Sequence, residues 1–198
     1  MLDVRPFTWQ KWQVNPAYTY LVNPAETKLD NDITRRSRNC INEGYKVSFD
    51  WNPKVFVVLF RLTMERQKIG LSYSDDEMLE FLNKMHGAGL VWMCSSYDQE
   101  GNAHASWVQM QSRKSEVYNW NSATNLSFPN SGGTSLLVDH LVNEMISKGI
   151  TKWDLCGADN PSVVGFKSKL GGSLKSYFKA AYNNYPIKRK IYFRWLNR

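Results

Sequence analysis

The stretch from Asn119 to Tyr177 constrains the fold more than any other part of the chain, because it orders its elements as strand, glycine-bearing loop, helix, strand, loop, short helix and turn. Leu137, Leu141 and Met145 recur every fourth residue with Val138 and Val142 beside them, the spacing of one apolar helix face. Gly132 and Gly133 stand where the loop enters that helix, after the turn residues Pro129 and Asn130. Lys148 closes the last turn, and Gly149 occupies the position just past it, where a left-handed residue ends a helix. Ile150 to Cys156 then alternates as a strand that Gly157 ends. A glycine loop that opens a helix after a strand is a place for an anion. Free backbone N–H groups and the positive end of the helix dipole point at the same spot.

The segments before and after fill in a sheet. Met1 to Trp12 is aromatic and reads as irregular, with a strand over Ala17 to Val22. Thr27 or Asp30 caps a helix reaching about Glu43, which Gly44 stops, and Tyr45 to Phe49 reads as a short strand. Asn52-Pro53 signals a helix start, although Val55 to Phe60 also has strand propensity. Asp75-Asp76-Glu77 opens another helix that buries Met78, Leu79, Leu82 and Met85. From Gly89 the period changes. Leu90 to Tyr97 and Ala103 to Gln111 make a hairpin, and Ser115 to Asn121 adds a third strand after a turn at Ser112-Arg113-Lys114. Ser173 to Tyr182 and Lys190 to Trp195 are strand-like. The expectation is an α/β (α+β) domain with a mixed, mostly antiparallel sheet flanked by helices. It spans residues 27–198, with residues 1–26 a short segment packed against it.

Composition excludes several classes. In 198 residues, 42% hydrophobic content with 14% aromatics argues against disorder. Val55 to Phe60 is the most apolar run and is far too short to span a bilayer, and no signal-peptide pattern is present. Cys40, Cys94 and Cys156 have no metal-ligand spacing, and their odd number fits reduced thiols in a cytoplasmic protein. His86, His104 and His140 form no motif, so no metal is expected. A net charge of +7 favours an anionic partner, whether a nucleotide-like cofactor, a phosphorylated substrate or RNA.

The run from Ser131 to Tyr177 resembles the C-terminal acyltransferase lobe of the FemABX-like proteins, within the GNAT (N-acetyltransferase) superfamily. Leu136-Leu137, Gly149, Asp154, Gly157, Phe166-Lys167, Gly171-Gly172 and Tyr177 follow that pattern in order. Upstream, Arg35-Arg36-Ser37-Arg38 through Gly44-Tyr45-Lys46-Val47 resembles the family's basic helix and strand, and Thr63-Met64-Glu65-Arg66 its Thr-x-x-Arg helix. The resemblance implies a GNAT-like fold, and a two-lobed plan in which a further half-lobe precedes this one.

The resemblance further implies acyl transfer to the amine of a small molecule or peptide, with acyl-CoA as donor substrate. Gly132, Gly133 and Thr134 are the expected pyrophosphate cradle. The loop Asn130-Ser131-Gly132-Gly133-Thr134-Ser135 departs from the Arg- or Gln-initiated Gly-x-Gly of acetyl-CoA enzymes. If Trp153 and Leu155 face the core, Asp154 points the other way, where a carboxylate would accept the amine's proton. Tyr177 would protonate the departing thiolate, its phenol having a pKa near ~10. Glu116 and His140 are fallback bases. Lys167 would hold a substrate or donor phosphate, Trp120 would line the substrate groove, and Arg35 and Arg36 would meet an acceptor or tRNA phosphate. Lys188-Arg189-Lys190 with Arg194 and Arg198 forms a second basic cluster. Two rivals stay open: an aminoacyl-tRNA-dependent (Fem-type) aminoacyltransferase, and a non-catalytic binding lobe. A homodimer covering an exposed sheet edge is a further expectation.

Overall fold

Local chemistry sets the helix boundaries in the computed structural model, which describes residues 3–113, 115–125, 127, 132–159 and 161–182. Asp30 caps α2 (Asn31–Asn42), its Oδ1 accepting the Asp32 N–H at 2.8 Å. Pro53 sits in the first turn of α3 (Pro53–Arg66). Ser74 and Glu77 close a reciprocal capping box on α4 (Asp75–Gly87). Gly149, at φ +67°, ends α5 (Gly133–Ser147), its N–H reaching the Ile146 carbonyl at 3.0 Å while Ile150 N–H reaches Met145 at 2.9 Å. α6 (Pro161–Lys167) runs into a 3-10 turn at Ser168–Leu170. The ambiguous Val55 to Phe60 segment is helical: Phe56, Leu59, Phe60 and Thr63 are buried on one face of α3. The N-terminal aromatic segment corrects the reading of it as irregular. Arg5–Trp9 forms the short helix α1, because Pro6 in its first turn presets a helical φ and gives up only an N–H without a helical partner.

The strands are β1 (Gln13–Val22), β2 (Lys46–Ser48), β3 (Val91–Tyr97), β4 (Ala103–Arg113), β5 (Glu116–Thr124), β6 (Lys152–Asp154) and β7 (Ser173–Ala181). They form one seven-stranded sheet in the order β2-β3-β4-β5-β6-β1-β7. β2, β3, β4 and β5 pair antiparallel in succession, β1 pairs β6 antiparallel, and β5 pairs β6 parallel. β1 and β5 outrun the segments read from the sequence, whereas β6 is shorter than the alternating Ile150–Cys156 run. The Lys190 to Trp195 strand and the second basic cluster lie outside the described residues.

Both faces of the β2–β6 part of the sheet are covered. On one, α5 and α2 bury Ile33, Leu137, Leu141 and Met145 against Trp107 and Trp153. On the other, α3 and α4 bury Phe56, Leu59 and Leu82 against Met93, Val108 and Ala123. A register shift in β5 reconciles the two. Val117 and Ala123 would share a face of an unbroken strand, yet they lie in opposite cores. Val108 faces Asn121 and Gln109 faces Asn119, so Trp120 is an extra residue with no partner across β4 and the side-chain parity reverses there.

The chain divides into two compact units, Met1–Tyr18 with Ser176–Arg198, and Thr19–Lys175. In the first, Trp12 contacts the rings of Phe7 and Tyr182 at centroid distances of 5.6 and 5.3 Å. Among the described residues no helix is long and apolar enough to cross a membrane.

Candidate active site

The site begins where two strands part. Parallel pairing of β5 with β6 covers only Glu116–Lys152, Val117–Trp153 and Tyr118–Asp154. β6 ends at Asp154, while β5 continues to Thr124 with β4 as its one strand partner among the described residues. The bulge at Trp120 falls in that parted segment and re-aims its side chains.

Beyond it lies the N-terminus of α5. Gly132 caps the helix at φ +66°, with no side-chain cap and no acidic residue in the first turn. A helix end of that composition carries the positive end of the dipole, which favours an anion. The glycines also have a packing reason. A Cβ on Gly132 would stand 2.8 Å from Cys40 Sγ and 3.2 Å from the Arg36 carbonyl oxygen. One on Gly133 would stand 2.7 Å from His104 Cβ and 3.1 Å from Ser96 Oγ. Close approach to α2 and to β3 and β4 thus demands glycine at both positions, whatever the loop binds.

A buried polar chain fixes the floor of the parted segment. Trp153 Nε1 donates to Gln109 Oε1 at 3.1 Å, Gln109 Nε2 donates to Asn119 Oδ1 at 2.9 Å, and Asn119 Nδ2 donates to Ser122 Oγ at 2.9 Å. Gln109 and Asn119 are buried, and the chain of donors sets both amide orientations.

Trp153 and Leu155 are buried and Asp154 is half-buried, as the alternation implies. Asp154 Oδ1 accepts the Thr19 hydroxyl and the Cys156 N–H, the latter at 2.8 Å. Lys167 reaches the same turn from α6. Its Nζ donates to the carbonyls of Leu155 at 2.9 Å, Cys156, and Gly157 at 3.1 Å. Burial pulls the Lys167 pKa below that of a free lysine, with Cys156 and Asp154 opposing. Burial likewise pushes the Cys156 thiol up to about 12, an effect Asp154 reinforces. The lysine therefore clamps the exit of β6, where Cys156 and Gly157 both have positive φ.

The remaining residues are dispersed. Trp120 packs on the α3/α4 side of the sheet. Tyr177 lies on β7 in the other compact unit, half-buried, with Lys179 Nζ 5.8 Å from its ring centroid. Arg35 and Arg36 bond Asp32 at 2.7 and 3.1 Å, and these bonds hold the Asp32 carboxyl at about 2. Arg36 stands beside Gly132 through its backbone and Cβ, so α2 and the glycine loop are neighbours. Glu116 faces Lys152 at 3.7 Å, and His140 Nδ1 lies 3.1 Å from the Leu136 carbonyl oxygen of its own helix.

Two groups escaped sequence reasoning. His104 and Ser96 meet at the α5 N-terminus because His104 occupies a bulge in β4, Ser96 facing Ala105 and Tyr97 facing Ala103. His104 Nε2 lies 3.2 Å from Asp98 Oδ2, and its ring meets Tyr45 edge-on at 4.9 Å. Burial opposes ionisation of Asp98, but hydrogen bonds from Asn102 and His104 outweigh it and hold the group at about 2. The second group is Tyr73 and Phe81, which join the expected groove residue Trp120 in an aromatic wall around a cavity of about 280 Å3. Its residues come from a loop, a helix and a bulge, which no spacing in the sequence connects.

No protein-family model matches the sequence, and no curated protein matches it significantly. Solved structures do match the backbone. FemX superposes with a TM-score of 0.68 at 12% identity, covering 89% of this chain and 63% of FemX. This is a FemX-like, GNAT-type fold. L-PGS from Bacillus licheniformis gives 0.66 at 13% identity, over 97% of this chain and 68% of L-PGS. A GCN5-related glucosamine N-acetyltransferase region of a fungal multi-domain β-N-acetylglucosaminidase gives 0.58 at 12% identity, over 90% of this chain and 22% of that one. The chain thus spans less than two thirds of FemX. The FemX-like fold agrees with the mixed, mostly antiparallel sheet expected from the sequence.

Proposed function

We propose that this FemX-like domain transfers an acyl group from acyl-CoA to an amine of a small molecule or peptide in the cytoplasm. The observation that carries the reading is the parting of β5 and β6 after Tyr118 and Asp154, in front of an α5 N-terminus that has neither a side-chain cap nor a first-turn carboxylate. The opening would admit an extended thioester, and the helix end would hold its pyrophosphate on the amides of Gly132, Gly133 and Thr134.

The chemistry needs a neutral amine, stabilisation of the tetrahedral oxyanion, and a proton for the leaving thiolate. The amine nitrogen bonds to the thioester carbonyl carbon as the C–S bond breaks, and the amine's proton passes to a base. Asp154, the last residue of β6 at the parting point, is the proposed base, directly or through water. The departing thiolate would take its proton from water. Lys167, with three carbonyl acceptors on the 155–157 turn, supports the reading by holding Asp154's neighbourhood in place; a phosphate would have to compete with those carbonyls.

A second reading, an aminoacyl-tRNA-dependent aminoacyltransferase, is favoured by the net charge of +7 and by Arg36 lying beside the glycine loop. Thermal unfolding with and without acetyl-CoA or CoA separates the readings. Ligand at about 100 times its Kd adds about 2.7 kcal/mol of stability. A clear rise supports the CoA site. An absent shift, with salt-sensitive binding of charged tRNA, transfers the assignment to the aminoacyl donor. Binding of neither leaves a non-catalytic lobe.

A further inference from the structure

On the face of the sheet opposite α5 lies a cavity of about 280 Å3 lined by Tyr73, Glu77, Met78, Phe81, Trp120 and Asn121. Its size falls just under the ~300 Å3 at which small-ligand clefts begin, so it suits a compact ligand. Three of the six lining residues are aromatic. Phe81 and Trp120 stand 5.6 Å apart between ring centroids at an interplanar angle of 48°, which leaves their faces splayed around the space. Phe81 is 43% exposed, a large ring held at the surface beside the cavity.

One lining residue, Glu77, is acidic, against the sign of the whole chain. The first turn of α4 carries Asp75, Asp76 and Glu77. Arg61 binds the Asp75 carboxylate and the Tyr73 carbonyl, the latter at 3.0 Å, so its charge is engaged while it pins the Tyr73 loop to the helix. The hydrogen bonds from the Ser74 N–H and hydroxyl lower the Glu77 pKa from its ordinary value. The capping box engages Oε2 of Glu77, at 2.7 Å from Ser74 N and 3.0 Å from Ser74 Oγ. The helix end itself contributes only roughly half a positive charge, which the two carboxylates left beside the Arg61–Asp75 pair, Asp76 and Glu77, outweigh.

Splayed rings with a carboxylate at the edge select one chemistry. Aromatic faces attract cations, and the exposed Glu77 carboxylate adds a solvent-screened counter-charge at the rim. Anions are repelled, and a neutral apolar molecule gains only the burial. Trp120 and Asn121 also belong to the β5 segment beyond the last β5–β6 pair, so the cavity borders the strand at which the acyl donor is proposed to lie.

We infer that this cavity is the acceptor subsite, and that it takes a primary ammonium carried on a compact apolar body, such as an aralkylamine. The inference rests on the acyl-transfer reading for the word acceptor, but not for the binding itself. The ammonium would sit at the Glu77 edge and the apolar body against Phe81 and Trp120. A proton must leave the ammonium before its nitrogen attacks.

The experiment uses the full chain without any donor. Binding of 2-phenylethylamine and of its neutral isostere 2-phenylethanol is followed at pH 7 by tryptophan fluorescence and by amide NMR shifts. The amine should bind about 5–10-fold more tightly than the alcohol, and 3-phenylpropanoate should not bind measurably. Glu77→Gln preserves the capping box, which accepts glutamine as well as glutamate, and should abolish the preference for amine over alcohol. Trp120→Ala should weaken both by about 10-fold. Equal affinity for amine and alcohol in the wild type, or a preference that survives Glu77→Gln, overturns the inference. Adding acetyl-CoA then separates the two ideas. Tight amine binding without acylation refutes the acyl-CoA reading and leaves the ammonium site standing, whereas acylation of other amines without binding of this one refutes the site alone.

Discussion

Gly133→Ala tests the packing at the N-terminus of α5. The added methyl would stand 2.7 Å from His104 Cβ and 3.1 Å from Ser96 Oγ, where an ordinary contact is 3.4–4 Å. Neither neighbour can retreat cheaply. His104 is 1% exposed, hydrogen-bonded to Asp98 and edge-packed on Tyr45, while Ser96 lies on β3 in register with Ala105. Overpacking of this kind costs about 1–3 kcal/mol. Alanine's advantage over glycine in a helix returns roughly 0.5–1 kcal/mol. The clash wins over most of that range, leaving a net loss of up to about 2.5 kcal/mol and centred on about 1 kcal/mol, a fall in Tm of roughly 2–4 °C at the centre for a domain of this size. Gly87→Ala is the control. That glycine is in α4, has no positive φ, and would place its methyl in open space, so the variant should gain about 0.4–1 kcal/mol. Urea unfolding followed by tryptophan fluorescence reads both. A Gly133→Ala protein at least as stable as the wild type, alongside a normal Gly87→Ala, would show that the helix end is not wedged against β3 and β4.

Asp154→Asn retains an acceptor oxygen for the Thr19 hydroxyl and the Cys156 N–H, so its Tm should stay within a few degrees of wild type. If Asp154 is the base, kcat/KM for amine acylation should fall by about 10²–10⁴-fold, and undiminished turnover would remove it from the mechanism. Lys167 predicts a pH effect. Its folded pKa lies below its unfolded value, so between the two the unfolded chain binds more protons and stability rises with pH. Wild-type stability should therefore gain on that of Lys167→Met as pH climbs towards the ordinary lysine value of about 10.4, and parallel curves would contradict the buried clamp.

Helix limits were legible because they are set within a few residues of themselves. Asp30, Pro53 and Gly149 each satisfy or terminate local backbone groups, and the Asp75-Asp76-Glu77 run marks the start of α4, so no distant contact is needed to read them. The alternation that buries Trp153 and Leu155 and turns Asp154 away is local too. The N-terminal helix was missed because five residues with one proline carry too little periodicity to outweigh their aromatic composition.

Apart from α1 and the ambiguous α3 segment, the sequence by itself determined the order of elements, and with it the glycine loop at the head of α5 and the apolar face that docks that helix, since each depends on neighbours a few positions away. Only the tertiary structure decided the rest. Trp120 and His104 are bulged because of their pairing across β4 and β3, and a bulge is a mismatch between two strands that neither strand encodes alone. The reversed parity between Val117 and Ala123 follows from it, as does the wall that joins Trp120 to Tyr73, Phe81 and Glu77. Lys167 shows the same division. Its place after Phe166 was plain, but its engagement with the carbonyls of residues 155–157 depends on α6 folding back over the end of β6, a contact made in space between segments whose sequences carry no mark of each other.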